Sequence, residues 1–463
     1  MRGRSKKILF GIGIVVVILA IVYTVALMRA KAQLREAYAA LEQDGRPLSI
    51  DDVLPPAVPD QQNAAVLYEK AAAMLQAEPS EEEDNLLEEL QRLARALFEE
   101  TTNPDRLARQ QQDVARLKQR MTQDVVTTAL DLVEQGTQRP ACRFEHDQEI
   151  GLLDDKPVSN RMRTLVVALG ARARLEAEAG DLQKAWDTIQ TQLRFGHTLR
   201  HDPIALDPWI RFAATGHACR VIKHVCEIAP PDEQDYQAIE QLLATADDVE
   251  QFVRCLDAER LSRGEGIFSL PADELYEALR EYQTSFGGGG PEFFDRLVFR
   301  KITFAPTFIA DHAAYLQVMR KSVQMLEGPF VSRDAPQFQE IGTLTRRYGL
   351  TGRLAPYSSG MKYIHSRATA DLRMVRAGLA LLRFKRLHDA FPPALDALEL
   401  EDLIDPFDGK PLRYRPQAQG FVVYSVDEDQ KDNGGTTRQR NQKTDYDRVW
   451  RFGTPDAQAD VKS

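Results

Sequence analysis

Five carboxylates near the end of the chain offer the clearest chance of chemistry. Asp427, Asp429 and Asp432 precede the pair Gly434-Gly435, and Asp445 and Asp447 follow it. Calcium takes about six to eight oxygen ligands, many of them from irregular acidic loops, so this cluster is the candidate metal site. It is not an EF-hand, because Lys431 and Arg438 fill positions where that loop needs ligands. The rival reading is a solvated polar loop.

Other reactive residues are scattered. His197 and His201 are four apart, a spacing that sets two ligands on one helix face, but Asp202-Pro203 ends that helix at once. His217, Cys219, His224 and Cys226 step around a helix by two, five and two residues, which spreads them over different faces. Cys219 and Cys226 are too far apart along a helix to bridge, and no CxxC joins them to Cys142 or Cys255; buried free thiols are expected. HExxH, GxSxG and phosphate-loop patterns do not occur. The sequence names no substrate and assigns no catalytic residue or organic cofactor.

The elements that would position these groups read mainly as helix. Residues 1–35 combine "MRGRSKK" with the uncharged run Ile8–Met28, "ILFGIGIVVVILAIVYTVALM". As a helix that run measures about 32 Å, enough to cross a bilayer's hydrocarbon. It exceeds a cleaved signal peptide's apolar core, so an uncleaved single-pass signal anchor is expected. The first 35 residues hold seven Lys or Arg and no acid, while the whole chain carries −10. The remaining body is therefore acidic and repels phosphate backbones, which argues against nucleic acid as a partner. Arg2, Arg4, Lys6 and Lys7 precede the span; Arg29, Lys31 and Arg35 follow it. That balance favours a cytoplasmic N-terminus, with the body outside the cytoplasm of a bacterial inner membrane.

Residues 36–357 form the expected helical body. The first helix should continue to Gly45, and a second should run from Asn63 to Leu75. Leu86, Leu90, Leu93 and Leu97 mark one helical face, and a helix is expected from Asn103-Pro104 to about Val133. Residues 161–200 predict two helices joined at Gly180-Asp181, with Ala168, Ala171, Ala179 and Ala185 at their close approach. A further helix starts near Pro208 and stops at Pro230-Pro231, and two more reach about Arg263. The glycine run in 285–291 reads as a surface loop.

Residues 358–463 begin with a long helix, Ser358–Phe391. Met361, Ile364, Ala368, Leu372, Val375, Leu379 and Leu382 form its apolar stripe. Its other face is basic (Lys362, Arg367, Arg373, Arg376, Arg383, Lys385 and Arg386), and either solvent or the acidic body should meet it. "DPFDGKPLRYRPQAQGFVVYSV", Asp405–Val426, then switches to two-residue alternation punctuated by turn residues. It predicts a small β-meander packed over the end of the long helix.

Two resemblances bear on function. The 161–200 hairpin resembles a tetratricopeptide unit, in a body that is either solenoid-like or an irregular bundle. The last stretch resembles the globular domain of type II secretion major pseudopilins. Phe391-Pro392, Asp405-Pro406-Phe407, Gly409, Pro411, Tyr414, Tyr424-Ser425, Asp429 and Gly434-Gly435 follow that family's order, over about 80 of 463 residues. The likeness implies a small α+β unit with a calcium-binding loop. Asp427 and Gln430 stand where the family has glycine, and the apolar span lacks the family's glutamate and cleavage site. The whole chain also resembles uncharacterised membrane-anchored bacterial envelope proteins. The expected function is a non-enzymatic, protein-binding scaffold in the envelope; the alternatives are an envelope-acting hydrolase and a secretion-system-associated component.

Overall fold

The computed structural model describes residues 2–76, 86–98, 103–145, 156–203, 208–271, 274–275, 305–332, 335–355, 358–437 and 445–453. The glycine run in 285–291 lies outside them. Helices dominate, with one small sheet near the C-terminus. The helices are α1 (Arg2–Gln43), α2 (Ala64–Gln76), α3 (Leu86–Ala96), α4 (Pro104–Met121), α5 (Asp124–Gly136), α6 (Lys156–Glu178), α7 (Leu182–Leu199) and α8 (Pro208–Ile228). They continue with α9 (Glu233–Ala244), α10 (Val249–Glu259), α11 (Gly266–Ser269), α12 (Ala305–Glu327), α13 (Pro336–Arg347), α14 (Thr351–Leu354) and α15 (Ser358–His388). A π-helical turn, Arg260–Glu265, joins α10 to α11, so helix persists beyond the expected stop at Arg263.

Local chemistry accounts for the ends. Gly45, at φ +68°, stops α1 while the Arg46 N–H reaches back to the Leu41 carbonyl. Asn63 caps α2 through the Ala65 N–H, and Asn103 caps α4 through those of Asp105 and Arg106. The single helix expected from 103 to 133 is two. The Thr122 hydroxyl bonds the Gln119 carbonyl, and Gln123 turns extended at ψ 138°. The chain can then redirect, and α5 packs on α2 with Gly136 against the Tyr68 ring.

The α6–α7 hairpin turns at Gly180 (φ +89°), where the Asp181 N–H bonds the Glu176 carbonyl. Ala168, Ala171 and Ala185 are buried as expected, but Ala179 is exposed; Ala173 and Ala177 are the inward small residues of that last turn. Three larger apolar cores result, with smaller clusters beside them. The first joins α2–α6 with the end of α7 and the start of α8. The second joins α7, α8 and α9 with α15 and the sheet, and so runs across residue 358. The third joins the lower part of α1 with α10, α11, α12, α14 and Met361 of α15.

Strands β1 (Arg413–Gln417), β2 (Gly420–Ser425) and β3 (Arg448–Phe452) form an antiparallel meander in the order β1-β2-β3. Every residue of β2 is buried, as expected for a strand apolar on both faces. The sheet lies along the middle of α15 as well as its end. A Cβ on Gly378 would sit 1.8 Å from the Trp450 ring, whereas one on Gly216 would meet nothing within 4 Å. Gly378→Ala should therefore cost about 1–3 kcal/mol in chemical denaturation, and Gly216→Ala should cost nothing or add up to about 1 kcal/mol. Equal effects at the two sites would contradict this packing.

Three histidines are held neutral mainly by burial: His217 is pushed down to about 3, His312 and His365 to about 4. His217 Nδ1 lies 3.1 Å from the Gln192 amide nitrogen, which also donates to the Val166 carbonyl; that assigns the Nε2–H tautomer. Unfolded imidazoles titrate near 6.5, so the unfolded chain takes up these protons first as pH falls. The histidines' contribution is complete above about pH 6.5 and drains towards pH 4, on the order of 1.4 kcal/mol per pH unit for a deeply buried ring. His217→Asn should flatten the decline in that window, measured by denaturant melts at stepped pH; an unchanged slope would contradict a neutral, buried ring.

Candidate functional site

Strand β2 delivers the chain into the acidic loop. Asp427 (φ +54°) and Gln430 (φ +55°) both adopt the left-handed backbone that glycine favours. Asp427 is buried, accepts the Glu428 N–H at 2.8 Å and lies in the field of Arg448. Asp429 accepts the Lys431 and Asp445 N–H groups at 3.1 and 2.8 Å. Asp432 accepts the Tyr424 hydroxyl at 2.9 Å and the Gly434 N–H at 3.0 Å. Asp445, also left-handed (φ +62°), has a carboxylate oxygen 3.7 Å from the Lys431 ammonium. Asp447 is buried and accepts three backbone donors, from Asn433, Gly435 and Thr436, at 3.2, 2.7 and 3.2 Å.

These carboxylates staple the loop to itself. Among the described residues, no group of three or more His, Cys, Asp or Glu is placed to hold a metal ion; residues 438–444 lie outside the description. What the geometry supplies directly is anchorage of irregular backbone.

Asp405 organises the meander from beneath. Fully buried, it accepts the Phe407 and Val426 N–H groups at 3.0 and 2.9 Å, the Ser425 hydroxyl at 2.8 Å and Arg413 Nη1 at 2.9 Å. Burial raises its pKa, against the lowering effect of these donors. Arg413 bridges on to Asp408, whose pKa stays low because of that guanidinium despite burial. In the sequence Asp405-Pro406 is turn chemistry; the polar hub depends on Ser425 and Val426, twenty residues away.

A second site joins the apolar helix to the body. Along Phe10–Gln43, the most apolar window of α1 has no part buried, yet Ala30, Ala37 and Leu41 further along are buried. Tyr38 donates to Glu265 at 2.5 Å and lies 3.5 Å from His312 Nε2. Asp44 takes Arg320 bidentately, at 2.7 and 3.0 Å, and Arg46 takes Glu327 at 2.5 Å. Partner numbers rise together, so α1 and α12 run parallel. The offset of 274 between Tyr38 and His312 puts Ala305 level with Lys31, just past the apolar run.

Beneath this junction Arg260 is 1% exposed, ion-paired to Glu265 and, at 3.6 Å, to Asp257, while donating to the Pro47 carbonyl. The π-turn rotates Arg260 and Glu265 onto these partners, and Gly264 leaves room for Tyr315. Sequence reasoning missed this network because Pro47 and Tyr38 lie more than 200 residues from it.

The histidine and cysteine candidates separate. His197 Nε2 lies 2.8 Å from the Thr245 hydroxyl, beside a cavity of about 60 Å³. His224 lies 3.7 Å from Glu178. All four cysteines are buried free thiols; burial pushes Cys219 up to about 12, so it is no nucleophile at neutral pH. A wider groove of about 680 Å³ between α4–α5 and the α6–α7 turn is lined by charged groups already paired, Lys118 with Glu178 and Arg172 with Glu176. No family model, curated protein or solved structure matches the chain.

Asp447→Asn should lower stability by roughly 2–3 kcal/mol, since buried backbone donors lose charged acceptors. The loss should be the same in calcium and in chelator, read by thermal or denaturant melts of the full chain. A loss confined to calcium-containing buffer would assign the carboxylate to a bound ion instead.

Proposed function

We propose that this chain is a non-enzymatic, membrane-anchored envelope protein whose helical body binds other proteins at the face of a bacterial inner membrane. One observation carries the reading. The apolar run Ile8–Met28 belongs to a helix of 42 residues, about 63 Å long, whose continuation is packed and ion-paired against the body. The anchor is thus a stalk with a fixed angle rather than a loose tether. Helix α12 begins level with Lys31, and so with the membrane surface that this reading assigns.

A body outside the cytoplasm is supported by the excess of basic residues before the span, four against three after it. A scaffold role is supported by the paired state of Lys118, Glu178, Arg172 and Glu176 in the groove between α4–α5 and the α6–α7 turn. The α6–α7 hairpin is taken as a tetratricopeptide-like unit, supported by its glycine turn and small-residue contact. Residues 358–453 are taken as a pseudopilin-like element in which a long helix, an antiparallel meander and left-handed Asp427 and Gln430 follow that family's order.

Protease added to intact spheroplasts should digest the body and leave a fragment containing Ile8–Met28 in the membrane pellet. Digestion only after lysis would reverse the orientation. Recovery of the whole untreated chain in the soluble fraction would remove the anchor.

A further inference from the structure

We propose that the surface around Arg220 and Arg367, where α8 crosses α15 beside the sheet, is a docking point for acidic side chains of a partner protein. The inference rests on the protein-binding reading above and names the chemistry of the partner.

Among the described residues, cations are in local excess where α8 crosses α15, in a chain that is acidic overall. Helix α8 contributes Arg220 and Lys223, α15 contributes Arg367, and β3 contributes Arg448. Against these four stand two carboxylates, Asp371 and Asp427. Asp371 is already shared: Arg448 holds it through Nε at 2.6 Å and a second contact, and Lys223 lies 3.7 Å away. Asp427 lies in the fields of both Arg448 and Arg367 while its oxygen accepts the Glu428 N–H. Both acids thus answer to Arg448, an inner cation, before Arg367.

Among the described residues, Arg220 and Arg367 have no carboxylate at ion-pair distance. Their contacts are aromatic: Arg220 lies 5.6 Å from the Phe98 ring centre, and Arg367 lies 5.7 Å from that of Tyr363. Arg220 is exposed and Arg367 half-buried. Arg220 sits in the field of Asp371 as well as those of Arg448 and Arg367, so among the described residues the outer pair shares an acid that Arg448 and Lys223 already hold. A guanidinium resting on an aromatic face keeps its N–H edge free for a bidentate carboxylate and loses little side-chain entropy on binding. Elsewhere on α15 the basic residues find partners: Arg373 with Asp247, Arg376 with Glu240, and Arg383 and Arg386 with Glu233. At the α8 crossing the cations outnumber the carboxylates among the described residues, and charge complementarity selects an acidic segment.

The test uses the full chain in nanodiscs of zwitterionic lipid, titrated with a labelled glutamate-rich peptide and followed by fluorescence anisotropy. Saturable binding that weakens with salt is expected, falling about tenfold or more in the Arg220→Gln/Arg367→Gln double variant at unchanged melting temperature. Arg220→Lys should retain part of it. Absence of saturable binding by the folded chain, or equal binding by the double variant, overturns the proposal. Inorganic phosphate competing as strongly as the peptide also overturns it, because the site would then be one for a small oxyanion. Chemical cross-linking of the full chain in cells separates the two readings. Adducts with other proteins that persist in the double variant sink the patch and leave the protein-binding reading standing, whereas no adducts even for wild type sinks that reading itself.

Discussion

A long helix can be enclosed along its length only if each cation it buries meets a negative group, because an unpaired buried charge costs several kcal/mol. Helix α15 lives under that constraint. Its apolar residues Leu372, Val375, Leu379 and Leu382 belong to one core with α8, α9 and the sheet. Arg373, Arg376 and Arg383 meet Asp247, Glu240 and Glu233, acids seven residues apart on or just after α9. The partners run in opposite order, so α9 lies antiparallel to α15 and the charges close like a zipper. Lys362 satisfies the same demand by donating to the Leu326 and Gly328 carbonyls at the end of α12, and burial lowers its pKa to about 8.

The rest of the architecture hangs on that helix. Its first turns belong to the core that receives the stalk of α1, and its later turns to the core that receives the sheet. The bidentate pair between Arg448 and Asp371 locks β3 onto it, and the Trp450 ring fills the space left by Gly378. Movement at the stalk has to be accommodated by packed helices rather than absorbed by a loop.

Much of this was legible in the sequence wherever the cause is local. Gly45, Asn63, Asn103 and Gly180-Asp181 set the helix boundaries that their chemistry predicts, and the apolar run of α1 stands clear of the body. The alternation in Phe421–Ser425 marked β2 and its two buried faces. Illegible features depend on distant partners or on competition within a turn. Thr122-Gln123 splits a continuous-looking helical pattern through one side-chain bond and one extended residue. The basic face of α15 looked equally fit for solvent, because its partners lie over 100 residues upstream. Nothing in "RLSRGE" distinguishes a π-turn from ordinary helix. The acidic loop was visible as a cluster of carboxylates, but not the backbone donors that occupy them.

Packed in this way, the apolar helix and the body should move as one rigid piece. Spin labels at Met28 and Leu387, both exposed, report on it directly by electron–electron distance measurement in nanodiscs. The account predicts one narrow distance distribution, unchanged between detergent and bilayer. A broad or multiple distribution would mean that α1 swings free of α12, and it would contradict the account.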